Sequence, residues 1–328
     1  MEHAGQCRTK TPGVLVTGAS GFIGSALVRT LADKAVVKCA SRACSTVSPV
    51  QGLSHEWFHY ENLASADWQA ALDGVDMVIH LAARAHVLRE TAADPFAAYA
   101  RVNCDGTLAL AEQAANNGVR RFVFVSTLGV NGRITTQAGF TEEDPAAPHD
   151  DYSRSKQMAE TGLRRLASQS DMEVVVIRPP LVYGPGVKAN LLHLLDWVYK
   201  GWPLPLANTE NRRSFIALDN LVDAIICCLH HPGAAGQTFL VSDGEDLSTA
   251  DLVSRIAHYM RKPARLFPVP VSLMGTVLHA AGKSKLYDRL WGSLVVDSQK
   301  IRRVLGWTPP ISVDEGIQKM VEWYLYGR

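Results

Sequence analysis

The sequence predicts an α/β chain: a doubly wound parallel sheet with a smaller, interleaved C-terminal lobe. Three observations predict it. The stretch Val14–Gly24 (VLVTGASGFIG) reads as strand, glycine-rich turn and helix. Short, almost wholly apolar runs then alternate with helical segments as far as Gly186, and such runs suit a parallel sheet covered on both faces. Beyond Gly186 the alternation fails, and helices with Pro-containing breaks take over.

In order, Val14-Leu15-Val16 forms the first strand and stops at Thr17. Gly18, Gly21 and Gly24 follow at G-x-x-G-x-x-G spacing, and an apolar-periodic helix opens at Phe22. Glycine suits a turn that needs positive φ and close approach of a phosphate to the backbone. The helix start, Ser20 to Gly24 with Phe22 and Ile23, offers unpaired N–H groups and a positive dipole end to a pyrophosphate. Val36–Ala40 is a second strand ending at Ser41-Arg42. An NAD site normally places an acid here for the ribose hydroxyls, whereas an arginine meets a 2′-phosphate, so NADP(H) is favoured and NAD(H) is the alternative.

Glu56–Tyr60 is a third strand, followed by Asn62-Leu63 and a short helix near Asp67–Leu72. Val75–His80 is a fourth, and its small apolar end, Leu81-Ala82-Ala83, lets backbone approach a flat ligand. His80, inside an apolar run, reads as a core histidine. Asp94–Gly118 is one long alanine-rich helix with Asn103 in its middle, a polar side chain that must be exposed or paired. Arg121–Ser126 is the fifth strand, and Gly129–Asp151 a long loop of the kind that carries function. Tyr152 to Lys156 opens the next helix, and Val174–Ile177 is a strand leading to Arg178-Pro179-Pro180. Asn190–Lys200 and Asp219–Leu229 are helices, and Thr238–Ser242 is a strand returning to the sheet.

Composition narrows the function. The 328 residues are 47% hydrophobic, enough for a large core in one large or two interleaved domains. With 33 basic against 32 acidic residues the net charge is +1, which argues against nucleic acid as a partner. Cys7, Cys39, Cys44, Cys104, Cys227 and Cys228 show no C-x-x-C spacing, so no metal site is expected and a reducing, cytoplasmic setting fits. Cys227-Cys228 reads as helix packing. The N-terminus lacks the apolar core of a signal peptide. Val271–Ala281 is too short to span a bilayer and reads as a buried or interfacial helix.

Tyr152 and Lys156 are four residues apart and share a helix face. A phenol with a pKa of ~10 is a poor base, but a nearby ammonium lowers that value. Such a pair passes a proton to or from a carbinol or carbonyl. Either Ser126 or Thr127 supplies a hydroxyl for the same oxygen.

The chain resembles the extended short-chain dehydrogenases/reductases, the nucleotide-sugar epimerase and dehydratase group. The matching pieces are Thr17–Gly24, His80–Ala83, Asn103, Val125–Thr127, Tyr152–Lys156, Arg178–Pro185, Arg213–Asp219 and Leu305–Trp307. The resemblance spans almost the whole chain. It implies a Rossmann-like NAD(P)-binding domain over 12–186 and 214–244, with a nucleotide-sugar-binding lobe over 187–213 and 245–328. It also implies Thr127 as catalytic hydroxyl, Tyr152 as acid/base, and Lys156 as acid/base partner that binds the nicotinamide ribose. Asn62, Leu63, Leu81, Ala82, Ala83, Asn103 and Pro179 join the cofactor set. Arg84, His86, Ser126, Asn190, Arg213 and Arg289 join the substrate set. Asn131 departs from the family's usual Tyr, and Ser41-Arg42 from its ribose-binding acid. The dehydratases' Asp-Glu pair is replaced by Leu128-Gly129, so the chemistry stops at hydride transfer at C4 of the sugar.

Two enzymatic readings follow, and one non-enzymatic. The first is NADPH-dependent reduction of a UDP-4-keto-6-deoxy-N-acetylhexosamine for polysaccharide (O-antigen) biosynthesis. The second is a UDP-glucose or UDP-N-acetylglucosamine 4-epimerase that retains NAD. The third, a catalytically silent NAD(P)-binding regulatory protein, is opposed by the intact Thr127, Tyr152 and Lys156. The family's dimers imply a homodimer, with Leu108, Leu110 and Ala111–Ala115 as the packing surface.

Overall fold

The structure, a computed structural model, describes residues 11–42, 55–85, 92–280, 282 and 284–327. The first half of the chain alternates strand and helix: β1 (Gly13–Thr17), α1 (Phe22–Leu31), β2 (Val36–Ser41), β3 (Glu56–His59), α2 (Gln69–Leu72) and β4 (Met77–His80). Then come α3 (Pro95–Ala100), α4 (Gly106–Asn116), β5 (Arg121–Val125), α5 (Asp151–Ala167), β6 (Glu173–Arg178) and β7 (Leu181–Tyr183). After α6 (Ala189–Lys200), β8 (Arg213–Ala217) and α7 (Leu218–His230), β9 (Thr238–Leu240) returns to the main sheet. The chain ends with β10 (Asp246–Leu247), α8 (Thr249–Tyr259), α9 (Val271–Ala280), α10 (Ser284–Trp291), α11 (Gln299–Leu305) and α12 (Val313–Tyr326).

The main sheet has seven strands in the order β3-β2-β1-β4-β5-β6-β9, all parallel. Its strands are apolar throughout because each of its faces is covered. Val14, Val16, Met77, Ile79, Val123, Val125, Val175 and Ile177 point to one side, among Leu27 and Leu31 of α1 and Leu221, Ile225 and Leu229 of α7. Their neighbours Leu15, Val78, Phe122, Phe124, Val174 and Val176 point to the other, among Leu110 and Ala114 of α4 and Ala159 and Leu163 of α5. Arg121 ties the sheet to α7: its Nη1 donates to the carbonyls of Cys228, Leu229 and His231, and its Nε to Glu173. These bonds satisfy carbonyls that end the helix without intrahelical partners.

A second sheet, β10-β8-β7, and a third core lie against helices α6, α8 and α12, with Leu195, Phe215, Ile256, Ile317 and Met320 at its centre. Strand order reverses between β1 and β4, and open α/β sheets bind ligands at such a switch point, beyond the carboxyl ends of the strands.

Three expectations need correction. The long helix over Asp94–Gly118 is interrupted: Arg101–Asp105 forms a π-helical turn between α3 and α4. A wide turn of this kind often marks a functional site, and here Asn103 lies inside it. The packing surface expected for a partner copy is partly spent within the protomer, since Leu110, Ala111 and Ala114 are fully buried in its own core. Of the two alternatives for Val271–Ala281, the buried one fails: in α9, Met274, Gly275 and Leu278 are half-buried, and Thr276, His279 and Ala280 exposed. Among the described residues, no helix is long and apolar enough to cross a membrane, and no group of three or more His, Cys, Asp or Glu is placed to hold a metal ion. Cys39, Cys104, Cys227 and Cys228 are free thiols, the first, second and fourth buried. Cys7 and Cys44 lie outside the described residues.

Candidate active site

The turn after β1 is shaped by what its glycines lack. Gly18 has φ +69, and a Cβ there would lie 2.8 Å from the Ala82 nitrogen at the end of β4. A Cβ at Gly24 would lie 2.2 Å from the Gly18 carbonyl oxygen, so α1 can pack against the turn only with glycine at that point. Gly21, the N-cap of α1, is looser, at 3.1 Å from the same oxygen, and no side chain caps the helix. The first N–H groups of α1, from Phe22 onward, are thus left to a ligand, with exposed Ser20 and half-buried Ile23 beside them. A dinucleotide pyrophosphate fits this cradle, which any larger residue at Gly18 or Gly24 would fill.

Next to the cradle, Arg42, Tyr60, Asn62, Leu63, Ala82, Ala83 and Arg101 line a cavity of about 250 Å³. The structure therefore brings together Arg42, Asn62, Leu63, Ala82 and Ala83, which are far apart in sequence. Arg42 is exposed, and Ser41, behind it, is buried. Arg101, which no motif singles out, joins the cavity because the π-helical turn carries it there. Leu63 is buried against Gly106, where a Cβ would lie 2.7 Å from its Cδ2.

His80 is a core histidine, as expected. It is fully buried, and Thr17 Oγ1 lies 2.7 Å from its Nδ1 and Thr107 Oγ1 2.9 Å from its Nε2. The Thr107 hydroxyl donates to the Asn103 carbonyl at 2.7 Å, so it accepts from His80, which assigns the imidazole as the neutral Nε2–H tautomer. Burial, with the Lys156 charge added, lowers the His80 pKa well below its ordinary value. Asn103 is also fully buried: its Oδ1 accepts from the Arg84 N–H, and its Nδ2 donates to the Arg84 carbonyl and to Ser155 Oγ.

Helix α5 presents Tyr152 and Lys156. Its start is fixed by a capping box, in which Asp150 Oδ1 accepts from the Ser153 N–H and the Ser153 hydroxyl lies 3.2 Å from the Asp150 nitrogen. Lys156 is buried, donates to the Val125 carbonyl at 2.9 Å, and lies 4.3 Å from the Phe124 ring centre. Burial lowers it to about 7, and Glu160 opposes that shift. Tyr152 is half-buried, with the Tyr99 ring edge-on at 6.3 Å. Here the expectation fails: the Tyr152 pKa is raised, first by burial and then by Asp150 and Tyr99, and the Lys156 ammonium, which donates to Val125, does not bring it down. The Thr127 oxygen accepts from the Gly129 N–H at 3.1 Å, which leaves its O–H as a donor. Ser126 is buried and donates to Glu160 at 2.6 Å. Pro179, also buried, gives its carbonyl to the Leu128 N–H.

Among the residues expected to bind substrate, the Arg84 guanidinium lies 5.3 Å from the Tyr99 ring centre. Arg213, on β8, donates to the carbonyls of Gly292 and Asp288 at 2.9 and 3.3 Å, and its pKa is lowered by burial and then by Arg289. Arg289, on α10, and Asn190, in the first turn of α6, are exposed. His86 lies outside the described residues.

Residues 14–242 match the model of the NAD dependent epimerase/dehydratase family. The UDP-glucose 4-epimerase of Vibrio cholerae is 44% identical over 316 residues, covering 95% of each chain. Among solved structures, the Bordetella bronchiseptica enzyme WbmG in complex with NAD superposes with a TM-score of 0.77 at 22% identity, over 98% of this chain and 97% of that one. A UDP-glucuronic acid 4-epimerase from Bacillus cereus in complex with NAD also gives 0.77, at 21% identity, over 96% of this chain and 98% of that one. A glycine cradle at the sheet's switch point, a tyrosine–lysine pair beside it and a match that runs from the first strand past the last strand of the main sheet have one common explanation: the chain belongs to the NAD-dependent epimerase/dehydratase family.

Proposed function

We propose that the protein transfers a hydride at C4 of a UDP-sugar, in the direction of reduction and with NADPH as donor. The observation that carries the hydride-transfer reading is that Lys156, one turn after Tyr152 on α5, donates to the Val125 carbonyl at the end of β5, two residues before Thr127. Gly18–Gly24 would hold the pyrophosphate, Asn62, Leu63, Ala82 and Ala83 the adenosine half, and Lys156 the nicotinamide ribose. When bound, the nicotinamide supplies the hydride. Tyr152, held as the phenol by burial and Asp150, donates a proton to the carbonyl oxygen at C4. The Thr127 hydroxyl donates to the same oxygen and orients it. The residues of 187–213 and 245–328 take the nucleotide sugar, with Arg213 and Arg289 toward its diphosphate and Arg84 toward the sugar. Leu128 and Gly129 carry no acid for further chemistry at C5 or C6.

Arg42, just past the end of β2, supports NADPH and with it the reductase. A second reading, a 4-epimerase that retains NAD, is favoured by the name of the Vibrio relative. The test is to incubate the protein with UDP-glucose, UDP-N-acetylglucosamine and a freshly made UDP-4-keto-6-deoxy sugar, with NADPH or NADH, and to follow products by NMR. The reductase consumes NADPH with the keto sugar alone. NAD released on denaturation, without NADP(H), sinks the reductase and leaves the epimerase. We also propose a homodimer, built on the outer faces of α4 and α5, where Met158 is exposed.

A further inference from the structure

Glu160 lies one helical turn after Lys156 on α5 and is 0% exposed. Its carboxylate accepts four hydrogen bonds: from Ser126 Oγ at 2.6 Å, from Arg178 Nε and Nη2 at 2.9 and 2.6 Å, and from Arg164 Nη2 at 3.0 Å. Arg178 is fixed from behind by Asn131, whose Oδ1 accepts at 2.8 Å and whose Nδ2 donates to the Thr141 carbonyl at 2.8 Å. A carboxylate so enclosed cannot swing to the substrate, so its influence on chemistry passes through its neighbours.

The neighbour that matters is Lys156. Its direct contacts, the Val125 carbonyl and the Phe124 ring, carry no formal charge. The titratable and charged groups around it are Tyr152 and Glu160 on its own helix, neutral His80 on β4, and Arg178 on β6 behind Glu160. Glu160 is the anion of this set. Charges act over several ångströms in a medium of low dielectric, so a fixed carboxylate one turn away steadies an otherwise unpaired buried ammonium.

We propose that Glu160 is a positioning residue: clamped by Arg178 and Ser126, it keeps the buried Lys156 ammonium charged and so sets the alkaline limit of activity. Burial alone pulls Lys156 toward neutrality, and Glu160 opposes it. The proposal rests on the reading of Tyr152 and Lys156 as the acid/base pair. The same carboxylate also fixes Ser126, next to Thr127, so the strand end that holds the candidate hydroxyl depends on it.

The test is the pH dependence of kcat/KM, together with NADPH affinity as a function of pH from tryptophan quenching. Glu160→Gln is expected to move the alkaline limb down by roughly one unit, with cofactor affinity weakening from a correspondingly lower pH. Arg164→Ala removes a half-exposed cation from the far side of Glu160 and is expected to move the limb the other way, by a few tenths of a unit. A purely structural Glu160 would lower melting temperature and turnover at every pH and leave the limb in place, which overturns the proposal. If Glu160→Gln does not fold, Arg164→Ala decides, and an unmoved limb again overturns it. Near-wild-type turnover in Tyr152→Phe would instead sink the acid/base reading, a separate failure.

Discussion

Lys156 is a liability to the fold that carries it. Its ammonium is buried and held by one carbonyl and one ring, and its pKa falls from 10.5 to about 7. The folded state thus binds this proton less tightly than the unfolded chain. The resulting destabilisation is complete below pH 7 and is relieved as pH rises toward 10.5. It amounts to about 5 kcal/mol, while stranding the Val125 carbonyl would cost about 1–3 kcal/mol. Lys156→Met is therefore expected to abolish turnover and yet raise the melting temperature, most at pH 6–7 and less at pH 9, as calorimetry would show. Function and stability are opposed at this position. Arg42 makes the other prediction about a single side chain. A charge-assisted contact to a 2′-phosphate is worth roughly 1.5–3 kcal/mol, or about 10–150-fold in affinity. Arg42→Asp should raise the KM for NADPH by that factor and that for NADH far less, measured with both cofactors on one preparation.

The turn between β1 and α1 is where three glycines do unequal jobs. Gly24 lets the helix close on the Gly18 carbonyl, Gly18 supplies the left-handed residue beside Ala82, and Gly21 leaves room for a ligand. Gly24→Ala is expected to lower the melting temperature markedly and to lose cofactor binding. Gly21→Val is expected to stay folded and lose cofactor binding alone, since its Cβ meets only the Gly18 oxygen, at 3.1 Å. Circular dichroism and calorimetric titration would separate the two. The spacing of these glycines was legible in the sequence, but their division of labour was not. The π-helical turn was equally hidden. An alanine-rich stretch does not show a one-residue change of period, so neither Arg101's place in the cavity nor the clamp of Asn103 on Arg84 could be read from it.

For the molecule as a whole, the alternation of apolar runs and helices reported the sheet, because a strand covered on both faces has no polar side to disguise it. The return of a strand over Thr238–Ser242 was also legible: β9 spans Thr238–Leu240, and its pairing with β6 is what the fold adds. What escaped was the environment of charged groups. Glu160, Arg178 and Arg121 look like ordinary surface residues in a sequence, yet all three are buried and paired across elements that meet only in the fold. The surroundings of Ser126 and Tyr152 were hidden for the same reason. The hydroxyl of one donates to Glu160, and the acidity of the other is set by burial and Asp150 rather than by the lysine four residues on.

The late arrival of β9 has a consequence for synthesis. Until residue 240 has left the ribosome, β6 is an open edge, and until α7 is made the valines and isoleucines on one face of the sheet are covered by α1 alone. Arg121, translated long before, waits for the carbonyls of Cys228, Leu229 and His231, at and just past the end of α7. A nascent chain released at residue 186 is therefore expected to aggregate or to be held by chaperones, whereas one released at residue 244 should be far more soluble. Arrested chains of the two lengths, compared for their soluble fractions, would show it. The synthesis of residues 187–244 is then the interval in which this sheet offers both an open edge and a thinly covered face.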